Sequence, residues 1–101
     1  MNIYNNIKEV IINIIRDYKG EKNLNFLEFI TCEQPKNLKF GDISSNALML
    51  LEKNDEGYNE KLKNKIIDKL KASEFFDKIN YVKPGFLNFT LKKDFWYKTL
   101  L

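Results

Sequence analysis

Between Ile79 and Leu91 the chain reads as two short β-arms joined by Lys83-Pro84-Gly85, and no other stretch restricts the fold so tightly. In the second arm Leu87, Phe89 and Leu91 fall on one face, and Phe86, Asn88 and Thr90 on the other. That period-two pattern belongs to a half-buried strand. Proline presets φ ahead of a glycine that tolerates positive φ, so the link turns the chain sharply back. The first arm runs over Ile79 to Val82 and the second over Phe86 to Leu91.

The apolar face of such a hairpin needs a cover, and the remaining periodicity supplies helices. Ile3, Tyr4, Ile7, Val10, Ile11, Ile14, Ile15 and Tyr18 recur at helical spacing with polar residues between them, and Gly20 ends the pattern. The β-formers Phe26, Leu27, Phe29, Ile30 and Thr31 predict a strand over 26–33, closed by Pro35. Gly41 permits a tight turn, after which Asp42 or Ser44 caps a second helix burying some of Ile43, Ala47, Leu48, Leu50 and Leu51. Asn54-Asp55-Glu56-Gly57 breaks it, and a third helix from near Asn59 sets Leu62, Ile66 and Leu70 on one face. Asp94 caps a last helix that carries Phe95 and Trp96 and reaches Leu101 with much apolar surface, so we expect it to lead into further chain. This order predicts an α+β fold with helices packed on a small antiparallel sheet, rather than a doubly wound parallel one.

With 101 residues, 44% hydrophobic and 31% charged with the signs mixed, the chain has the composition of one ordered globular domain. No run approaches the roughly 20 apolar residues of a membrane span, and the start lacks a signal-peptide core. The expected setting is cytoplasmic, with no membrane partner. Cys32 is the only cysteine and histidine is absent, which removes an internal disulfide, thiolate–imidazole zinc sites and Ser-His-Asp or Cys-His catalysis together. All but one of the 17 basic residues are lysine, and the net charge of +3 favours an anionic partner only mildly.

Phe86 is the residue that core packing explains least. It shares a strand face with Asn88, about 7 Å along the chain. A splayed-out nucleobase calls for such a pair: a ring for stacking and an amide that donates and accepts on the base edge. Lys83 lies in the adjoining turn. Lys61, Lys65 and Lys69 repeat every four residues on the polar side of the third helix and offer a phosphate-facing stripe, or simply a solvated helix face. The Gly41-Asp42 step lacks the Gly-Lys-Ser/Thr ending of a nucleotide loop, and Asp42 would repel phosphate. The step therefore reads as architecture: Gly41 for the turn, Asp42 for capping, Asn46 for tying the loop down, with Gly85 serving the hairpin turn.

These residues also carry a resemblance. Glu33-Gln34-Pro35, then Phe40-Gly41-Asp42-Ile43-Ser44-Ser45-Asn46-Ala47-Leu48-Met49-Leu50, then Val82-Lys83-Pro84-Gly85-Phe86-Leu87-Asn88-Phe89 stand in the order and separation found in the amino-terminal domain of arginyl-tRNA synthetase, which the chain resembles over nearly all of residues 1–93. The resemblance implies a tRNA-binding domain over 1–93, and over 94–101 the start of a linker helix to a class I catalytic domain of the same chain. It implies as partner the tRNA for arginine, touched at the outer corner where the D-loop exposes an unpaired base. Phe86 would then stack on that base and Asn88 would bond its edge; the family sometimes has tyrosine at the aromatic position, so phenylalanine here lacks a possible hydroxyl contact. The His-x-Gly-His and Lys-Met-Ser-Lys signatures of the synthetase reaction are absent. No catalytic residue, metal ligand or cofactor is therefore expected in this chain, and ATP and magnesium would be bound elsewhere in the parent enzyme. Two other readings stay open: a protein-docking module using Phe86, Phe95 and Trp96, and a free-standing RNA-binding protein.

Overall fold

A computed structural model of the chain describes residues 2–20 and 24–94. Helix α1 spans Ile3–Lys19. The Asn2 side chain accepts from the Tyr4 and Asn5 amides at 3.0 and 3.3 Å, which satisfies two N–H groups left free by the helix start. Gly20, at φ 77°, closes the other end by donating to the Arg16 carbonyl at 2.8 Å. Of the stripe seen in the sequence, Ile7, Ile11, Ile14 and Ile15 enter the core, joined by Ile12, while Ile3, Tyr4 and Val10 are half-buried and Tyr18 is exposed.

The predicted strand over 26–33 is corrected. Asn25–Phe29 forms a short 3-10 helix that buries Phe26 and Leu27 and leaves Phe29 exposed, and only Cys32–Glu33 pairs as strand β1. Adjacent rather than alternate residues turn inward there, and with Ile30 buried three positions after Leu27 the spacing is that of a tight helix. The segment taken as the entry to the second helix differs as well. Ile43–Ser45 is strand β2, and helix α2 begins later, covering Ala47–Asn54. Helix α3 follows over Glu60–Lys71, with the Asn59 side chain accepting the Leu62 amide at 2.8 Å. Strand β3 covers Phe76–Val82, longer than predicted, and β4 covers Phe86–Leu91. The terminal helix expected from Asp94, with Phe95 and Trp96, lies outside the described residues.

The four strands form one antiparallel sheet in the order β1-β2-β4-β3, so β2 rather than β1 joins the hairpin. Leu87, Phe89 and Leu91 of β4 point into a single apolar cluster with Ile43, Leu48, Leu51, Ile66, Leu70 and the α1 isoleucines. Phe76 and Phe89 stack there at 4.6 Å between ring centroids. The fold is thus α+β, with the helices supplying the cover for one sheet face. No helix among the described residues is long and apolar enough to cross a membrane.

Candidate nucleic-acid interface

Residues paired directly across antiparallel strands share a face. The pairs Glu33 with Ser44, Ser44 with Asn88, and Asn88 with Asn80 therefore form one polar row across the whole sheet, on the face turned away from the helices. The Val82–Phe86 pair lies on that same face beside the row. Four polar side chains in line, flanked by an aromatic ring, are what remains of the sheet after its other face has been spent on the core.

This outer face is not bare. After β1 the chain runs through Gln34 to Phe40 before re-entering the sheet, and this strap encloses a cavity of about 380 Å³ lined by Glu33, Gln34, Pro35, Phe40, Ser44, Val82, Phe86 and Asn88, among others. The strap explains a departure from the expected open strand surface: Asn88 is only 6% exposed. No hydrogen bond joins its side chain to another described residue, although it lines the cavity. Its amide therefore faces the cavity with a donor and an acceptor that a ligand could engage in place of water.

Two glycines hold this arrangement. At Gly41 φ is +103°, and a Cβ there would stand 2.7 Å from the Phe89 carbonyl oxygen. At Gly85 φ is +150°, and a Cβ would meet the Met49 backbone at 2.6 Å. Only glycine lets the strap close onto β4 and the hairpin turn close onto α2, where the Met49 amide donates to the Gly85 carbonyl at 3.0 Å. Asp42 does not cap α2. Its amide donates to the Phe89 carbonyl and its carboxylate accepts the Leu91 amide, both at 2.8 Å, so the side chain extends the β2–β4 ladder instead. The Asn46 side chain accepts the Thr31 amide at 2.8 Å and donates to the Phe29 carbonyl at 3.4 Å, tying the loop before β1 to the start of α2. The N-cap of α2 is Asn46, without a side-chain capping bond, and the Ser45 hydroxyl before it accepts the Ala47 amide at 3.2 Å.

Phe86 and Asn88 therefore come together as the sequence predicts, within one cavity. Lys83 is exposed in the adjoining turn. Lys61, Lys65 and Lys69 are exposed too, but on α3, across the sheet from the cavity and beside edge strand β3. Next to them Lys63 bonds Glu60 at 2.9 Å and sits 4.4 Å above the Tyr81 ring, which anchors α3 to the inner face of β3. Phe40, Glu33, Ser44 and Val82 were not foreseen as lining residues. Strand pairing and the path of the strap put them there, and neither has a local signal. Cys32 pairs with Ser45 at the other end of β1, and burial pushes its thiol up to about 11.

The family model described as "Arginyl tRNA synthetase N terminal domain" matches residues 1–91. Among curated proteins, an arginine–tRNA ligase of Bartonella bacilliformis is 36% identical over 99% of this chain and 18% of its own length. One of Caldanaerobacter subterraneus is 31% identical over 93% of this chain and 17% of its own. One of Rhodopseudomonas palustris is 39% identical over 73% of this chain and 12% of its own. The chain thus spans less than a fifth of each of these relatives.

Proposed function

This chain belongs to the family of arginyl-tRNA synthetase N-terminal domains, and from that premise we propose that it serves an arginine–tRNA ligase by receiving an unpaired base from the D-loop corner of the tRNA for arginine. The observation that carries the reading is Asn88: a side chain 6% exposed, without a hydrogen-bond partner among the described residues, set beside Phe86 in a cavity open to solvent. An amide in that state is matched by a base edge offering a donor next to an acceptor. Phe86 supplies a stacking surface, worth about 1–3 kcal/mol per base.

Phosphate contacts surround this core of recognition. Lys83 is exposed in the turn next to Phe86, and Lys61, Lys65 and Lys69 are exposed on α3, which packs on β3. A tRNA laid over the β3 edge would meet the turn first and α3 second. Such contacts position the RNA and raise affinity without reading sequence. Activation of arginine belongs elsewhere in the ligase, together with ATP and magnesium.

The test is to place Phe86→Ala and Asn88→Ala in the full-length ligase and measure the Michaelis constants for tRNA, arginine and ATP. We expect each variant to raise the tRNA constant by about tenfold, the equivalent of about 1.4 kcal/mol, with the arginine and ATP constants unchanged. Equal losses for all three substrates would mean a folding defect and would remove the base-reading role.

A further inference from the structure

We propose that Phe40 is the second stacking wall of the base cavity, so that the unpaired base is held between the Phe40 and Phe86 rings with its edge toward Ser44 and Asn88. The inference rests on the cavity being a base site. It adds a binding residue from a different part of the chain.

Four large apolar side chains are exposed among the described residues: Tyr18, Phe29, Phe40 and Val82. Of these, Phe40 and Val82 line the cavity that holds Phe86 and Asn88. Phe40 is 50% exposed, so the strap presents a ring at the cavity without burying it. Leaving half an aromatic ring in water forgoes hydrophobic stabilisation that a planar ligand would restore.

The position of Phe40 is built by the backbone around it. The Asn37 side chain accepts the Lys39 amide at 2.9 Å, and the Asn37 carbonyl accepts the Phe40 amide at 3.0 Å, forming a compact turn. On the other side stands Gly41, whose positive φ presses the chain against Phe89, followed by Asp42 with its two bonds to β4. Phe40 is therefore fixed from both flanks while its ring stays half open. The cavity is lined by an aromatic side chain from the strap, another from the hairpin, and hydroxyl and amide groups from the sheet. A flat heteroaromatic ring with polar edges fits this chemistry, whereas an aliphatic side chain would leave the Asn88 amide unpaired.

The experiment titrates the chain with arginine tRNA transcripts that each carry 2-aminopurine at one unpaired D-loop position, reading both affinity and base fluorescence. Phe40 is compared with Phe40→Leu, which keeps apolar cover but removes the ring, and with Phe40→Tyr, which keeps the ring. We expect one labelled position to be quenched on binding, Phe40→Leu to weaken affinity about tenfold and relieve the quenching, and Phe40→Tyr to restore both. If Phe40→Leu binds and quenches like the parent while Phe86→Ala does neither, Phe40 merely covers the sheet; the inference falls and the base site stands. If neither position affects binding, the base site falls and the inference with it. Aromatic NMR of the unsubstituted chain guards against a misfolded variant, because a base stacked on Phe40 must shift its ring resonances. Their constancy at saturating tRNA overturns the proposal.

Discussion

A methyl group added at Gly85 would fall 2.6 Å from the Met49 backbone, while one added at Gly20 would find nothing within 4 Å. Both glycines have positive φ, so the two substitutions separate backbone strain from collision. Gly20→Ala should cost about 1–3 kcal/mol from backbone strain alone, since its φ of 77° with ψ of −158° lies in a region open essentially only to glycine. Gly85→Ala should cost more than about 3 kcal/mol, because strain adds to a contact that cannot relax without moving the hairpin turn off α2. Urea unfolding of the two variants checks this, and equal losses would show that the turn is free to shift. Cys32 gives a second prediction. Its thiol is raised from 9.0 to about 11, chiefly by burial, with the Ser45 hydrogen bond and the Lys8 charge opposing. Above pH 9 the unfolded chain loses this proton while the folded chain keeps it, so stability falls as pH rises from about 9 to about 11. Tyr58, pushed up to about 12 mainly by burial, acts in the same direction at higher pH. Unfolding midpoints measured across this range should fall less steeply for Cys32→Ala than for the parent chain. At this scale the sequence was informative where chemistry was local. Phe86 and Asn88 stand two apart on one strand, whereas Glu33 reaches the same cavity through its pairing with Ser44 and Phe40 through the path of the strap.

Elements with a long, clean period could be read before folding. The centres of the α1 and α3 stripes and the inward face of β4 bury the residues that their spacing selects, with Tyr18 at the end of α1 left exposed and Leu62 of α3 half-buried. Short elements could not. Ile43-Ser44-Ser45 has little strand character of its own, and it becomes β2 because β4 offers a ladder on that side. Residues 25–29 carry β-forming side chains, yet Phe26 and Leu27 are both needed in the core, which only a tight helical turn permits. The α3 lysines are the element whose role the fold leaves most sharply divided between two outcomes. Replacing Lys61, Lys65 and Lys69 with glutamate should reduce the slope of log affinity against log salt for tRNA by about 2–3 if all three meet phosphate. An unchanged slope would make that side of α3 a solvated face and confine the interface to the cavity and the Lys83 turn. The Lys63 contact with Tyr81 is left intact in this variant, so the packing of α3 on β3 is not disturbed.

Among the described residues the 18 buried hydrophobic ones form one cluster, and α1 contributes five of them although it lines no part of the cavity beside Phe86 and Asn88. The hairpin presents Phe86 and Asn88 on its outer face because Leu87 and Phe89 on its inner face are locked into that cluster. Helix α1 thus meets the cavity's elements through the core and through its packing against β1. Ile11 is fully buried, and Ile11→Ala should lower stability by about 2–5 kcal/mol. That is a large share of the roughly 5–15 kcal/mol of a typical domain. If the molecule is one cooperative unit, far-UV circular dichroism, dominated by the helices, and NMR signals of the hairpin should lose structure at the same urea concentration in the parent and, at a lower one, in the variant. Well below that midpoint the variant should bind tRNA as the parent does, since nothing at the cavity has changed. Hairpin signals that outlast the helical signal in Ile11→Ala would instead mean that the sheet with α2 and its strap holds the interface without α1, and that the first helix serves the molecule in some way other than supporting the site.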